Sequence, residues 1–172
     1  HNAHFGDAMN PWNAAHCTGG SSSGSGAGLA AAMFPLSLGT DTGGSTRNPA
    51  SACGVVGLKP TYGRIPTFGV TRHAQNAVNF ALATTVADTA LLFDLAVGPD
   101  ERDRTSLPAP GIRYTDVIEQ LDVAGLRATW SADLGFVVVD PEVEQITARA
   151  AERLIAAADL RIDLSKQRIE PD

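Results

Sequence analysis

The sequence predicts an α/β domain in which a mixed β-sheet is flanked by helices on both faces. Three observations carry this. Short apolar runs bounded by turn residues alternate with longer helical stretches. Helix starts are marked at Thr85 and Asp140 by residues whose side chains cap free backbone N–H groups. The 172 residues are 44% hydrophobic and 19% charged, ordinary values for a globular chain with a real core.

Taken in order, residues 1–20 are polar, and Asn10-Pro11-Trp12-Asn13 marks a turn. Small residues dominate from Gly24 to Met33. They predict a close-packed buried helix, with Pro35 beyond its end. Leu36-Ser37-Leu38 reads as a short strand, and residues 39–50 as a loop rich in turn formers. Val55-Val56-Gly57-Leu58 is apolar and stopped by Lys59-Pro60, which predicts a second strand. Residues 61–79 read as irregular. Thr85-Val86-Ala87-Asp88 is a capping box, and Gly98-Pro99 stops the helix near Val97. Residues 99–111 hold Pro99, Pro108 and Pro110 among several charges and read as a surface loop. A strand is expected over 126–130. Asp140-Pro141 opens a helix to about Ala158, with Val143, Ile146, Ala150 and Leu154 near one face. Residues 160–164 alternate apolar and charged side chains, as in a last strand.

Net charge is −6 and no basic run occurs, so nucleic acid is not an expected partner. No apolar run reaches membrane-spanning length, and a membrane is not an expected partner either. Cys17 and Cys53 are the only cysteines. Two do not make a disulfide framework, and they read as free thiols of a reducing compartment, hence a cytoplasmic protein. No signal peptide is visible, and a chain that begins at His1 is expected to lack its true N-terminus.

The chemistry concentrates in Gly19-Gly20-Ser21-Ser22-Ser23-Gly24 and Asp41-Thr42-Gly43-Gly44-Ser45-Thr46-Arg47. A serine is a poor nucleophile without a base in reach and donors for the oxyanion it creates. Glycines let the backbone turn sharply and aim N–H groups inward. A flexible linker is the plainer reading of residues 19–28, but the segment runs directly into Leu29-Ala30-Ala31-Ala32-Met33, which wants burial. No lysine follows the glycines, so a phosphate loop is excluded, and the spacing is wrong for a dinucleotide fingerprint. Gly20-Ser21-Ser22-Ser23-Gly24 also matches the G-x-S-x-G elbow of an α/β-hydrolase-like esterase. That alternative makes Ser22 the nucleophile and requires a strand before it.

The order Pro-Trp-Asn, Gly-Gly-Ser-Ser, Leu-Gly-Thr-Asp-Thr-Gly-Gly-Ser-Thr-Arg, then Cys-Gly-Val-Val-Gly-Leu-Lys-Pro-Thr-Tyr-Gly-Arg resembles the amidase signature family. The likeness is dense from Asn10 to Arg64. It continues through Thr85-Val86-Ala87-Asp88, Arg102–Pro108 and Trp130–Gly135. It implies an enzyme that cleaves carbon–nitrogen amide bonds through a Ser–cis-Ser–Lys triad and a serine acyl-enzyme. By position, Ser45 is the nucleophile and Ser21 the cis-serine that relays its proton. The backbone N–H groups of Thr42, Gly43, Gly44 and Ser45 form the oxyanion hole. The resemblance implies no metal or organic cofactor. Its expected partners are a small-molecule amide and, in the full-length protein, a second copy of the chain. A free-standing amidase is preferred to an amidotransferase component of the same family, because the likeness is stronger in the serine core than after Arg64.

The family's base is a lysine well upstream of the cis-serine. Lys59 and Lys166 are the only lysines here, and both follow Ser21. Residues 1–172 are therefore expected to be the central portion of an amidase signature domain, truncated at both ends and inactive alone. A non-catalytic amide-binding remnant is the other reading. Two departures from the family pattern stand out: Ser23 occupies a usual glycine position, and Asn79-Phe80-Ala81 replaces a glycine–proline step.

His1, His4, His16 and His73 fit no ligand spacing and read as surface residues, though His16 lies near Ser21 in sequence. Asp41 reads as a brace of the Gly43-Gly44 turn rather than a triad member. Arg47 reads as a salt-bridge partner beneath that loop or as a carboxylate binder. Trp12 and Trp130 read as packing residues.

Overall fold

The structure is a computed structural model describing residues 3–68 and 77–162. His1, His73, Lys166 and the end of the last expected strand lie outside the described residues. The chain divides into two compact units, His1–Gln120 and Leu121–Asp172.

The first unit is built on strands β1 (Leu36–Asp41), β2 (Val56–Gly57) and β3 (Val78–Ala83), paired antiparallel in the order β1-β3-β2. β3 is the middle strand. Phe80, Ala81, Leu82 and Ala83 are all wholly buried. Successive strand residues point to opposite faces, so both faces of β3 are covered. On one side Phe80 and Val78 pack with Ile65 and with Phe93 of helix α3 (Val86–Ala96), and the Phe93 and Tyr114 rings lie 4.8 Å apart. Elsewhere Leu82 packs with Leu29 of α1 (Ser23–Ala30) and Ala50 of α2 (Arg47–Cys53).

Helix α1 is small-residue rich because another backbone crosses it closely. A Cβ on Gly26 would sit 3.0 Å from Pro49 Cβ and 3.1 Å from its carbonyl oxygen, so any larger residue would have to push α2 outward by a few tenths of an ångström.

α3 starts as expected: Thr85 Oγ1 accepts from Asp88 N–H at 3.0 Å, and its own hydroxyl donates to Asp88 Oδ2 at 2.7 Å. Thr85→Ala is expected to lower stability by about 1 kcal/mol in urea titrations, and Thr85→Ser to restore most of it. A short helix α4 (Tyr114–Val117) follows. Its first N–H groups and the Thr115 hydroxyl are accepted by Asp94 at 2.7–3.0 Å. Burial opposes the Asp94 charge, yet those donors outweigh it and hold the carboxyl below its ordinary range.

Three differences from the sequence reading stand out in this unit. α2 lies at the end of the expected 39–50 loop and just beyond it. Pro49 stands in its first turn, where a missing N–H costs nothing, and Gly54, at φ 68°, ends it. β3 starts inside the stretch expected to be irregular. β1 runs to Asp41 rather than stopping at Leu38.

The second unit pairs β4 (Arg127–Ala128) with β5 (Arg161–Ile162) in parallel. Between them runs α5 (Pro141–Ala157). Asp140 Oδ1 accepts from Glu142 N–H at 2.8 Å, the expected cap with proline in the first turn. The protein thus combines antiparallel and parallel strands with helices in an α/β fold. Among the described residues, no helix is long and apolar enough to cross a membrane.

Candidate active site

β1 ends on Asp41, and the chain turns at once through Thr42-Gly43-Gly44 into Ser45 and α2. Asp41 is wholly buried at the base of this turn. Its Oδ1 accepts from Gly44 N–H at 2.6 Å, and its Oδ2 from Thr46 N–H at 3.3 Å and Arg47 N–H at 3.4 Å. The Arg47 guanidinium closes the arrangement with bonds of 3.0 and 3.1 Å to the two oxygens. Burial alone would push the Asp41 carboxyl up. The Arg47 guanidinium and three backbone donors outweigh it and hold the carboxyl far below the carboxylate range. Asp41 is therefore a permanent anion that organises the turn. Arg47 is its salt-bridge partner, half exposed on its outer side.

Gly44 has φ 110°, a backbone region closed to other residues. Its N–H donates to Asp41, and this bond braces the loop.

The Ser21 segment meets this turn through the backbone. Ser22 N–H donates to the Ser45 carbonyl at 2.9 Å. The Gly20–Ser21 peptide bond is cis. Ser21 precedes the cap of α1, and Ser45 precedes the cap of α2, so each serine stands at a helix entrance. Ser21 is exposed and Ser45 partly buried. No hydrogen bond joins their hydroxyls to each other among the described residues.

Ser22 has a different role from its neighbours. Its Oγ accepts from Thr40 N–H at 3.3 Å and pairs with Thr46 Oγ1 at 3.4 Å. Thr46 Oγ1 in turn donates to the Thr40 carbonyl at 3.3 Å, and Thr46 is wholly buried. This hydroxyl pair ties the entrances of both helices to β1. The esterase elbow needs a strand leading into Ser22, but among the described residues no strand precedes α1, and Met9 and Cys17 form an isolated bridge. Ser22 is thus part of the frame.

Sequence reasoning missed Thr46, because nothing in its sequence setting marks burial. It also read Asn10 only as a turn residue. The Asn10 amide is buried, and its Nδ2 donates to the carbonyls of Cys17 and Ala52 at 3.1 and 2.8 Å. Trp12 is largely exposed and acts by a polar contact: its indole N–H donates to the Cys53 carbonyl at 2.7 Å, at the end of α2.

A cavity of about 490 Å³ opens at Ser21, lined by residues that include Asp7, Met9, His16 and Gly20. No group of side chains suited to a metal ion occurs among the described residues. Lys59 donates weakly to the Pro60 carbonyl at 3.5 Å, a strand-end position.

The amidase family matches residues 1–164. The chain belongs to the amidase family. The A subunit of the glutamyl-tRNA(Gln) amidotransferase from Synechococcus sp. (strain CC9311) is 43% identical over 169 residues, covering 94% of this chain and 33% of that protein. Its counterpart from Chloroflexus aggregans is 43% identical over 146 residues, 84% and 30% of the two chains. A bacterial aryl acylamidase of the amidase signature family superposes with a TM-score of 0.84 at 29% identity, over 92% of this chain and 32% of its own. A 6-aminohexanoate cyclic dimer hydrolase complexed with substrate gives 0.79 at 35%, over 90% and 33%. The chain spans about a third of the length of these amidase-family relatives. The alignment to the amidotransferase proteins runs through nearly the whole chain, so the likeness is not confined to the serine core.

Proposed function

We propose that this chain carries the serine half of an amidase-type centre acting on carbon–nitrogen amide bonds. Ser45 Oγ attacks the amide carbon and Ser21 relays its proton. The oxyanion is received by the loop N–H groups of Thr42, Gly43, Gly44 and Ser45. The amine leaves with the relayed proton, and water then releases the acid from the Ser45 ester. Neither a metal nor an organic cofactor is needed for these steps. The observation that best supports the reading is the pairing of Ser22 N–H with the Ser45 carbonyl beside the Asp41 brace. It holds the two serine segments in one frame.

The base belongs to the same proposal. The family resemblance places a lysine upstream of Ser21, and residues 1–20 contain none. The 172-residue chain alone is expected to turn over simple amides negligibly, and vigorous Ser45-dependent hydrolysis by it would refute that. In a longer protein bearing the upstream segment, a fluorophosphonate probe should label Ser45, as read by peptide mass mapping. Label on Ser22 would overturn the assignment. Saturable amide binding by that longer protein with no acyl-enzyme formed would favour the non-catalytic remnant instead.

The curated relatives favour a second reading within the same chemistry, in which the acyl group still goes to water but the released amide nitrogen is captured by an acceptor instead of leaving as free ammonia. Nitrogen found on a supplied acceptor, with less free ammonia per acid formed, would distinguish it from hydrolysis. A small-molecule amide substrate, a cytoplasmic location and a second copy as partner complete the proposal.

A further inference from the structure

Cys17 and Cys53 are far apart in sequence, yet the fold gathers them at one place. One nitrogen, Asn10 Nδ2, bridges the carbonyls of Cys17 and Ala52. Cys53 Sγ lies 3.7 Å from the carbonyl oxygen of Thr18, the residue after Cys17. A cavity of about 350 Å³ lined by Asn10, His16, Cys17 and Ala52 gives a small reagent access to this junction. Cys17 is exposed and Cys53 wholly buried. Burial pushes the Cys53 thiol up, and charge on Cys17 pushes it the same way. That influence on Cys53 accords with the geometry that brings the Cys17 segment to it.

We propose that Cys17 and Cys53 form a reversible intramolecular disulfide on exposure to a hydroperoxide, clamping the segment that leads into Ser21 onto the end of α2. The exposed Cys17 sulfur attacks the peroxide, the O–O bond breaks, and a sulfenic acid and one water (from hydrogen peroxide) result. The Cys53 sulfur then attacks the Cys17 sulfur. The S–O bond breaks, and a second water leaves with the Cys53 proton. The two thiols lose two electrons and the peroxide gains them. A dithiol reverses the step by exchange.

The clamp ties the Ser21 segment to the C-terminal end of α2, whereas the Ser22–Ser45 backbone bond ties it near the start. α2 begins just after Ser45 and ends at Cys53, and Cys17 is four residues before Ser21. Closing it restricts how far the Ser21 segment can move away from α2, whatever acyl chemistry the serines perform.

The test uses the intact chain treated with a small excess of hydrogen peroxide under native conditions. Peptide mapping without reductant should show Cys17 linked to Cys53, and dithiothreitol should reverse it. The oxidised form should melt roughly 5–10 °C higher than the reduced form, because the loop it closes is long. Backbone amides of residues 17–21 should exchange more slowly in it. Cys17→Ser removes an exposed thiol and should fold like the parent while losing all three responses. Cys53→Ala should lose the cross-link too. The proposal is overturned if both thiols stay alkylatable, if Cys17 proceeds only to sulfinic acid, or if only intermolecular disulfides form.

Discussion

Replacing Asp41 with asparagine should destabilise the unit holding Ser21 and Ser45 by about 3 kcal/mol. The carboxylate is wholly buried and accepts three backbone N–H groups as well as the Arg47 guanidinium. Asparagine keeps one oxygen and presents an NH₂ where an acceptor is required. Either the donors to Oδ2 (Thr46 N–H, Arg47 N–H and Arg47 Nε) or the donors to Oδ1 (Gly44 N–H and Arg47 Nη2) then lose their partner. The urea midpoint should fall by ~1 M or more. Trp12 fluorescence in a Trp130→Phe background reads this unit, since Trp12 is anchored to α2. An Asp41→Asn chain as stable as the parent would show that the carboxylate is not the brace of this turn.

The same carboxylate sets a pH dependence. Its folded pKa is depressed, so its contribution is complete above the ordinary value of 3.8 and is lost as the pH falls below it. Asp94 acts in the same direction. The stability gap between the parent chain and Asp41→Asn should therefore be constant from pH 7 to about 5 and narrow steadily below pH 4. A gap independent of pH down to 2.5 would mean that the charge is not what holds the turn.

Phe80→Ala is expected to cost about 3–5 kcal/mol, the largest effect of any apolar truncation in the first unit. Phe80 sits on the central strand, fully buried, in contact with the cluster of Ile65, Val78 and Phe93. Removing the ring leaves a void that the sheet and α3 cannot both collapse into, because β3 is paired on both edges. Phe80→Leu should recover more than half of the loss. Val138→Ala, at a fully exposed position, should change stability by less than about 0.5 kcal/mol. Equal midpoints for Phe80→Ala and the parent in urea would show that this cluster is not the core.

The elements legible in the sequence were those with local signals. α3 and α5 announced themselves by Thr85 and Asp140, whose caps form as expected. α1 was legible because its small residues only make sense in close packing. α2 was hidden by Asn48-Pro49, which reads as a turn until the proline is recognised as first-turn, with Gly54 as the terminator. β3 was hidden for a different reason. A strand buried on both faces has no alternation, so Val78–Ala83 lacks the period that marks a half-exposed strand. At the site, Asp41 was readable as a brace because aspartate before Gly-Gly has a local bonding habit. The Ser22–Thr46 pair was not readable, since it joins residues brought together only by the tertiary fold.

The link from Ser22 N–H to the Ser45 carbonyl has an experimental consequence. It runs between main-chain atoms and involves neither the Ser21 nor the Ser45 hydroxyl. In a longer protein bearing the upstream segment, alanine at Ser21, at Ser45 or at both should abolish the proposed acyl chemistry and leave the framework standing. Such chemically silent variants are suited to trapping an uncleaved amide in place, and to measuring its affinity separately from its turnover.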